Sequence, residues 1–323
     1  MTRRAAYAVA TGLLVALTGA AAPAAAQPQT VLTIFAAGTL AGPFRALDAV
    51  FEKTYPSVTV HPVFAGSVGL ARRIADLHQE ADLFAAADYR VIPKYLFGKP
   101  GRKAYADWYA GFARNATTFT YTDASKFAKE ITPQNWYKVL ARPGVEIGRS
   151  NPDTDPSGYQ TLIMLQLAER YYHAPGLAAA ILKNAPPRNM RNTETSLLPA
   201  LQLGEIDYLG IYRSDAIQHH LHYLALPAAV DLGDVKLAKL YASAVVHTKN
   251  GAVHGAPIVY AATIPLNAPQ AKWAEKYLAL LLGAQGQAIL KRSGFAPLAP
   301  ADAVGRARMP ARLKALAAVW PPA

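Results

Sequence analysis

VLTIFAAGTLAGPFRALDAVFEKTY, residues 31–55, reads as a strand, a tight turn and a helix in direct succession. Val31 to Ala36 is an apolar, β-prone run that Ala37-Gly38-Thr39 interrupts. From Gly42 to Tyr55 the large side chains Phe44, Leu47, Phe51 and Tyr55 recur at helical spacing on one face. A short apolar strand followed by an amphipathic helix is the building unit of a sheet covered by helices.

The unit returns along the chain. Ser57 to Val63 alternates as a second strand, and Gly66-Ser67 opens a second helix with Leu70, Ile74 and Leu77 inward. Asp82 to Ala86 is a short third strand, and Phe119 to Thr122 a strand leaving this unit. Then come a short helix from Asn135 to Leu140, a strand over Glu146 to Gly148 and a long helix from about Ser157 to Tyr172. Residues 183–195 are polar and proline-bearing; a helix over Ser196 to Leu203, closed by Gly204, and a strand over Ile206 to Tyr212 follow. Leu240 to His247 and Ile258 to Ile264 read as β segments joined by a polar turn at Asn250-Gly251. Gln270 to Leu282 is helical, a second helical piece runs to about Lys291, and Ala296 to Pro300 is broken by proline. No internal repeat follows the leader. The order predicts an α/β protein of two discontinuous lobes, with lobe 1 over 27–117, lobe 2 over 118–243, and a return to lobe 1 with C-terminal helices over 244–323.

The first 26 residues predict a cleavable secretory signal: Arg3-Arg4, an apolar run through Leu17, and Ala24-Ala25-Ala26 before Gln27. The apolar run is too short and too rich in Ala and Gly to anchor the chain, and no later stretch is long enough to span a bilayer. Arg3-Arg4 also leaves a twin-arginine route open. With no cysteine there is no lipid anchor at the cleavage site, no disulfide and no thiolate metal ligand. An unanchored exported protein is expected in the periplasm, with secretion to the medium as the alternative. The net charge of +12 falls to +10 once Arg3 and Arg4 are removed. Because the basic residues are scattered, a nucleic-acid partner is disfavoured, while a diffuse field that steers small anions is compatible with them.

Two turns stand out chemically. Gly38-Thr39 and Gly66-Ser67 each set a glycine, which lets a ligand approach the backbone, beside a hydroxyl at a helix start, where unpaired N–H groups favour an anion. Taken singly, Thr39 and Ser67 read more readily as ordinary helix caps than as ligand groups. In NPDTDPSGY, residues 151–159, Asp155 fits an N-cap with Pro156 at the first helical position. A carboxylate beside a dianion is repulsive unless it is protonated or bonded to the anion's metal centre. Glu194 reads as an acid in the first turn of the next helix, and Tyr212 as a strand-end aromatic. His219, His220 and His222 cluster, and 219 and 222 would share a helix face; a transition-metal site is conceivable, but an exposed helix end explains them better, since no zinc-type spacing is present. Trp108, Trp136, Trp273 and Trp320 read as packing residues. No nucleophile elbow, phosphate loop or zinc-protease motif is present.

Nine strings occur in order between about residues 31 and 300. They are Phe35-Ala36-Ala37-Gly38-Thr39-Leu40, Ala65-Gly66-Ser67-Val68, Ala87-Asp88-Tyr89 with Ile92-Pro93, Tyr105-Ala106-Asp107-Trp108 and Phe112-Ala113-Arg114-Asn115, then Asp155-Pro156-Ser157-Gly158-Tyr159, Glu169-Arg170-Tyr171-Tyr172, Gly204-Glu205-Ile206-Asp207-Tyr208 and Pro257-Ile258-Val259-Tyr260. This series resembles the tungstate/molybdate-binding proteins of ABC transporters, in the branch that binds the metal six-coordinate. The resemblance implies a two-lobed, type II periplasmic-binding-protein fold with the ligand in the inter-lobe cleft. It implies that Gly38, Thr39 and Ser67 bind oxyanion oxygens from the first lobe. Asp155, with Pro156 and Ser157 behind it, would come from the second, and Glu194 and Tyr212 would complete the site. Asp155 and Glu194 would bond to the tungsten or molybdenum itself, raising four oxygens to six, which sulfur and phosphorus do not accept. Thr39 stands where the family usually has serine and Ser157 where cysteine is common. The stretch between Asp155 and Glu194 is shorter than in archaeal relatives, which loosens the alignment of Glu194. The expected partners are the oxyanion and a membrane permease driven by an ATPase; a monomer without a cofactor and without catalysis is expected. A receptor for sulfate or phosphate, a periplasmic enzyme or a sensory module on the same fold are the other readings.

Overall fold

The computed structural model describes residues 29–320 and Thr2; the expected leader, Thr2 aside, lies outside the described residues. Among the described residues, fourteen strands build two main sheets and one hairpin. The larger sheet begins with β1 (Thr30–Ala37), β2 (Val58–Ala65), β3 (Leu83–Ala86) and β4 (Tyr109–Arg114). The smaller holds β5 (Thr117–Tyr121), β6 (Ile147–Ser150), β7 (Met190–Arg191), β8 (Tyr208–Tyr212) and β9 (His222–Tyr223). A hairpin of β10 (Val245–Thr248) and β11 (Gly251–His254) follows. The chain then re-enters the larger sheet as β12 (Val259–Thr263), β13 (Ala296–Val304) and β14 (Ala317–Val319). The spatial orders are β14-β13-β4-β12-β3-β1-β2 and β7-β6-β8-β5-β9.

Each sheet contains a parallel set whose strands end together. In the larger, β1 runs parallel to β2 and β3, with Ala37 opposite Ala65 and Ala36 opposite Ala85. In the smaller, β6 runs parallel to both β7 and β8, with Ser150 opposite Arg191. Ligands of open α/β sheets bind beyond such carboxyl ends. Here the two sets of ends face each other.

The helices cover the sheets as their spacing predicts. Helix Ala41–Thr54 buries Phe44, Leu47 and Phe51 against the larger sheet. Phe51 also meets Tyr277 of helix Ala271–Leu282, ring centroids 5.3 Å apart. The smaller lobe has its own core around Phe119, Trp136, Ile147, Met164 and Tyr208. The larger core continues across the boundary to Tyr159, Ile163, Leu167 and Tyr212, so the lobes are packed together rather than apart.

Four local expectations change. Leu77 points outward, 65% exposed, because helix Ser67–Ala75 stops before it. The stretch read as a strand from Leu240 begins inside helix Ala238–Ala242, and the strand starts only at Val245. The turn at Asn250-Gly251 joins β10 to β11 rather than to β12. Ala296–Val304, read as broken by proline, is a strand; its ladder to β4 skips register between Pro297 and Asp302, where the prolines have no N–H to give.

Candidate ligand site between the lobes

Because Ala37 and Ala65 are paired, Gly38-Thr39 and Gly66-Ser67 leave the larger sheet side by side. Neither hydroxyl caps its own helix: Leu40 and Gly66 hold the cap positions, and no side chain caps either. Ser67 Oγ instead accepts the Ala87 N–H at 3.0 Å. That bond uses an oxygen lone pair and leaves the Ser67 hydrogen to be given elsewhere. Thr39 Oγ1 lies 2.9 Å from the Tyr260 hydroxyl on β12. Thr39 and Ser67 are both buried.

The glycines at these turns also make room for the other lobe. A Cβ on Gly66 would stand 2.4 Å from the Thr154 carbonyl and 3.1 Å from that of Asn192, both in the other lobe. A Cβ on Gly38 would stand 2.9 Å from Thr195 Oγ1. These glycines let the two lobes approach each other. Three hydrogen bonds close the same seam: Gly69 N–H to the Thr154 carbonyl at 3.1 Å, Tyr159 hydroxyl to Asp88 Oδ2 at 2.8 Å, and Gln218 Nε2 to the Thr39 carbonyl at 3.3 Å. Arg90 in turn holds Asp88 at 2.6 Å.

From the smaller lobe, the carboxyl ends of β6, β7 and β8 deliver the acids. Asp155 is the N-cap residue of helix Pro156–Tyr171, with Pro156 at its first position and Ser157 buried behind. The loop before it is held by the hairpin tip: Lys249 N–H donates to Asp153 Oδ1 at 2.8 Å and Asn250 Nδ2 to the Asp153 carbonyl at 2.7 Å. Glu194 follows β7 at the start of a short 3-10 turn. Tyr212 ends β8, and its hydroxyl donates to Gln160 Oε1 at 2.6 Å.

Asp155 is 3% exposed and Glu194 2%, and none of the ion pairs among the described residues involves either. Burial pushes the Asp155 carboxyl up from its usual range. Glu194 is pushed well above the carboxylate range by burial, then by the charges of Asp155 and Asp215. Ionising two neighbouring buried carboxyls without a cation is costly, which is the physical cause of both upward shifts. Ser150 Oγ, Asp155 Oδ2, Gln160 Nε2 and Asp215 Oδ2 are buried without a hydrogen-bond partner. Unpaired buried polar atoms are found elsewhere among the described residues too, on Arg114 and Asn267 for example; those beside the two acids are the ones a polar ligand between the lobes would meet.

The structure thus brings together Gly38, Thr39, Ser67, Asp155, Pro156, Ser157, Glu194 and Tyr212. Sequence reading missed Asp215, which follows Tyr212 on helix Arg213–Gln218, and Tyr260 behind Thr39. An acid in a helix's first turn looks ordinary, so nothing in its spacing singles out Asp215. The histidines do not share a helix face: the helix ends at Gln218, His220 has φ +53°, and His222 lies on β9 with Nε2 2.9 Å from Asp123. Among the described residues no three His, Cys, Asp or Glu side chains are grouped to hold a metal ion. Trp136 is fully buried, and Trp273 and Trp320 pack on the core.

The chain is similar to known proteins along most of its length. A solute-binding protein of Petrotoga mobilis, itself uncharacterized, is 38% identical over 88% of each chain. The molybdate/tungstate-binding protein of Thermococcus kodakarensis is 32% identical, covering 91% of this chain and 89% of the relative. The periplasmic molybdate-binding protein of Azotobacter vinelandii superposes with a TM-score of 0.61 at 19% identity, over 82% of this chain and 98% of its own, and so shares the two-lobed periplasmic-binding-protein fold. The sequence pattern of bacterial extracellular solute-binding proteins matches residues 32–296, and this chain belongs to that family.

Proposed function

We propose that this protein captures tungstate or molybdate between its lobes, outside the cytoplasm, and hands it to the membrane permease of an ABC transporter. One observation carries the reading: Asp155 and Glu194 are buried together, without a cation, against the hydroxyl-bearing turns at Thr39 and Ser67. Two carboxyls in an anion cleft make sense when the anion's centre accepts their oxygens. Hexavalent tungsten and molybdenum are hard centres that do so, expanding from four oxygens to six. Each carboxyl gives up its proton to solvent as its oxygen bonds to the metal. Sulfate cannot expand, so the same carboxyls reject it. Thr39 and Ser67 donate to the anion's oxygens, and Tyr212, tied to Gln160, backs the acids.

Kinship with the molybdate/tungstate-binding relative supports the choice of ligand. We place lobe 1 at residues 27–117 and 244–323 and lobe 2 at 118–243. Since the lobes supply different ligand groups, closure and capture are one event. The protein acts in the periplasm after removal of residues 1–26, as a monomer and without turnover. Among the described residues no helix is long and apolar enough to cross a membrane. Calorimetric titration with tungstate, molybdate, sulfate and phosphate tests the reading. Tight binding of the first two with no measurable heat from the others is expected, and sulfate bound as tightly as tungstate refutes it.

A further inference from the structure

An oxyanion offers only acceptors, so a hydroxyl helps to hold it only when its hydrogen points at the anion. Turned the other way, the same hydroxyl presents a lone pair and repels it. The two hydroxyls at the seam are not fixed alike. Ser67 Oγ accepts the Ala87 backbone N–H at 3.0 Å, and a backbone N–H can only donate. Thr39 Oγ1 meets another hydroxyl, that of Tyr260 at 2.9 Å, and either oxygen of such a pair can be the donor. A third group has to set the direction of that bond.

Asn115 is placed to do so. It lies between β4 and β5, where the chain passes from the larger sheet to the smaller, and it is 2% exposed. Its Oδ1 accepts two backbone N–H groups, from Ala116 at 2.9 Å and from Ser214 at 3.3 Å. Both partners can only donate, which fixes which end of the amide is the oxygen. Nδ2 has only hydrogens to give, and it faces Ser214 Oγ at 2.8 Å and the Tyr260 hydroxyl at 3.4 Å. The Tyr260 oxygen therefore accepts from Asn115, and its own hydrogen goes to Thr39 Oγ1. The Tyr260 ring is fully buried and makes edge contacts with Phe295 and Tyr212, centroids 5.1 Å and 5.8 Å away, which fixes where the phenol points.

We propose that Asn115 and Tyr260 are positioning residues, a one-way chain of hydrogen bonds that keeps the Thr39 hydrogen aimed at an oxygen of the bound oxyanion. This rests on the oxyanion reading above and on Thr39 as one of its ligand groups. The part that a backbone amide plays for Ser67 is played for Thr39 by two side chains, one between the sheets and one on β12.

The test is calorimetric titration with sodium tungstate of the mature protein and of its Tyr260→Phe, Asn115→Ala and Thr39→Val variants. Tyr260→Phe and Asn115→Ala are each also combined with Thr39→Val. Thermal melting without ligand establishes that each variant is folded. Thr39→Val should weaken binding about tenfold or more, as losing a hydrogen bond to a charged group does. Tyr260→Phe keeps the ring and its packing and leaves Thr39 its hydroxyl, without the bond that aims it. A loss of about three- to tenfold is expected, the size of one ordinary hydrogen bond, and the same is expected of Asn115→Ala. With Thr39→Val already present, both changes should be silent to within about twofold, since no hydroxyl remains to be aimed. A residue that acts only through packing would cost as much in that background as in the parent, so equal losses in the two backgrounds overturn the proposal. Parent-like binding by Tyr260→Phe or by Thr39→Val overturns it as well. Asn115→Ala also removes an acceptor from two backbone groups; if it does not fold, Tyr260→Phe in the two backgrounds decides. A parent protein that does not bind tungstate refutes the oxyanion reading instead, which separates the two failures.

Discussion

Glu194 and Asp155 pull stability and binding in opposite directions. Both folded-state carboxyls lie above their usual values, so the folded, ligand-free protein holds protons that the unfolded chain releases. Their contribution to stability is present below the ordinary carboxylate range, near pH 4, and is lost as pH rises through the raised values. At neutral pH, Glu194→Gln and Asp155→Asn should therefore raise the melting temperature of the ligand-free protein. The same variants should weaken tungstate binding at least about tenfold and narrow the gap to sulfate. Melting curves and titrations on one preparation check this; a variant that melts lower and binds as before contradicts it. At this scale the sequence was informative for Asp155, whose Asp-Pro pair marks a helix start. It was silent about Asp215, because a first-turn acid has the same local appearance whether it faces solvent or a cleft.

Among the elements, the two turns after β1 and β2 decide whether the lobes can meet. A methyl at Gly66 would sit 2.4 Å from the Thr154 carbonyl, a backbone atom that cannot rotate away. At Gly69, one turn later, the nearest atom of the other lobe is that same carbonyl at 4.0 Å. Overpacking of this kind costs about 1–3 kcal/mol. Gly66→Ala should therefore weaken tungstate binding roughly 5- to 150-fold by opposing closure. Gly69→Ala should bind as the parent does; titration of the pair checks the prediction, and equal effects would contradict it. The repeated strand-turn-helix unit was legible because an apolar strand and a helical stripe have different periods. Ala238–Ala242 was not, since a short apolar run carries no period long enough to separate helix from strand. Nor was β13, whose prolines are tolerated where the ladder already skips register.

For the whole molecule, two parallel strand sets point their carboxyl ends at one seam, and the proposed ligand groups come from both sides of it. That convergence could not be read from any one stretch, because Gly38, Asp155 and Glu194 are far apart in the chain and meet only through the sheet registers. In the proposed account the net charge of +12, or +10 without Arg3 and Arg4, brings small anions near, and the choice among them belongs to the uncharged hydroxyls and the buried acids. The most direct measurement is X-ray absorption at the tungsten edge on the tungstate complex of the mature protein. Six oxygen neighbours are expected, falling towards four when Asp155→Asn and Glu194→Gln are combined. Four oxygens around tungsten in the parent protein would contradict a site built to bond the metal.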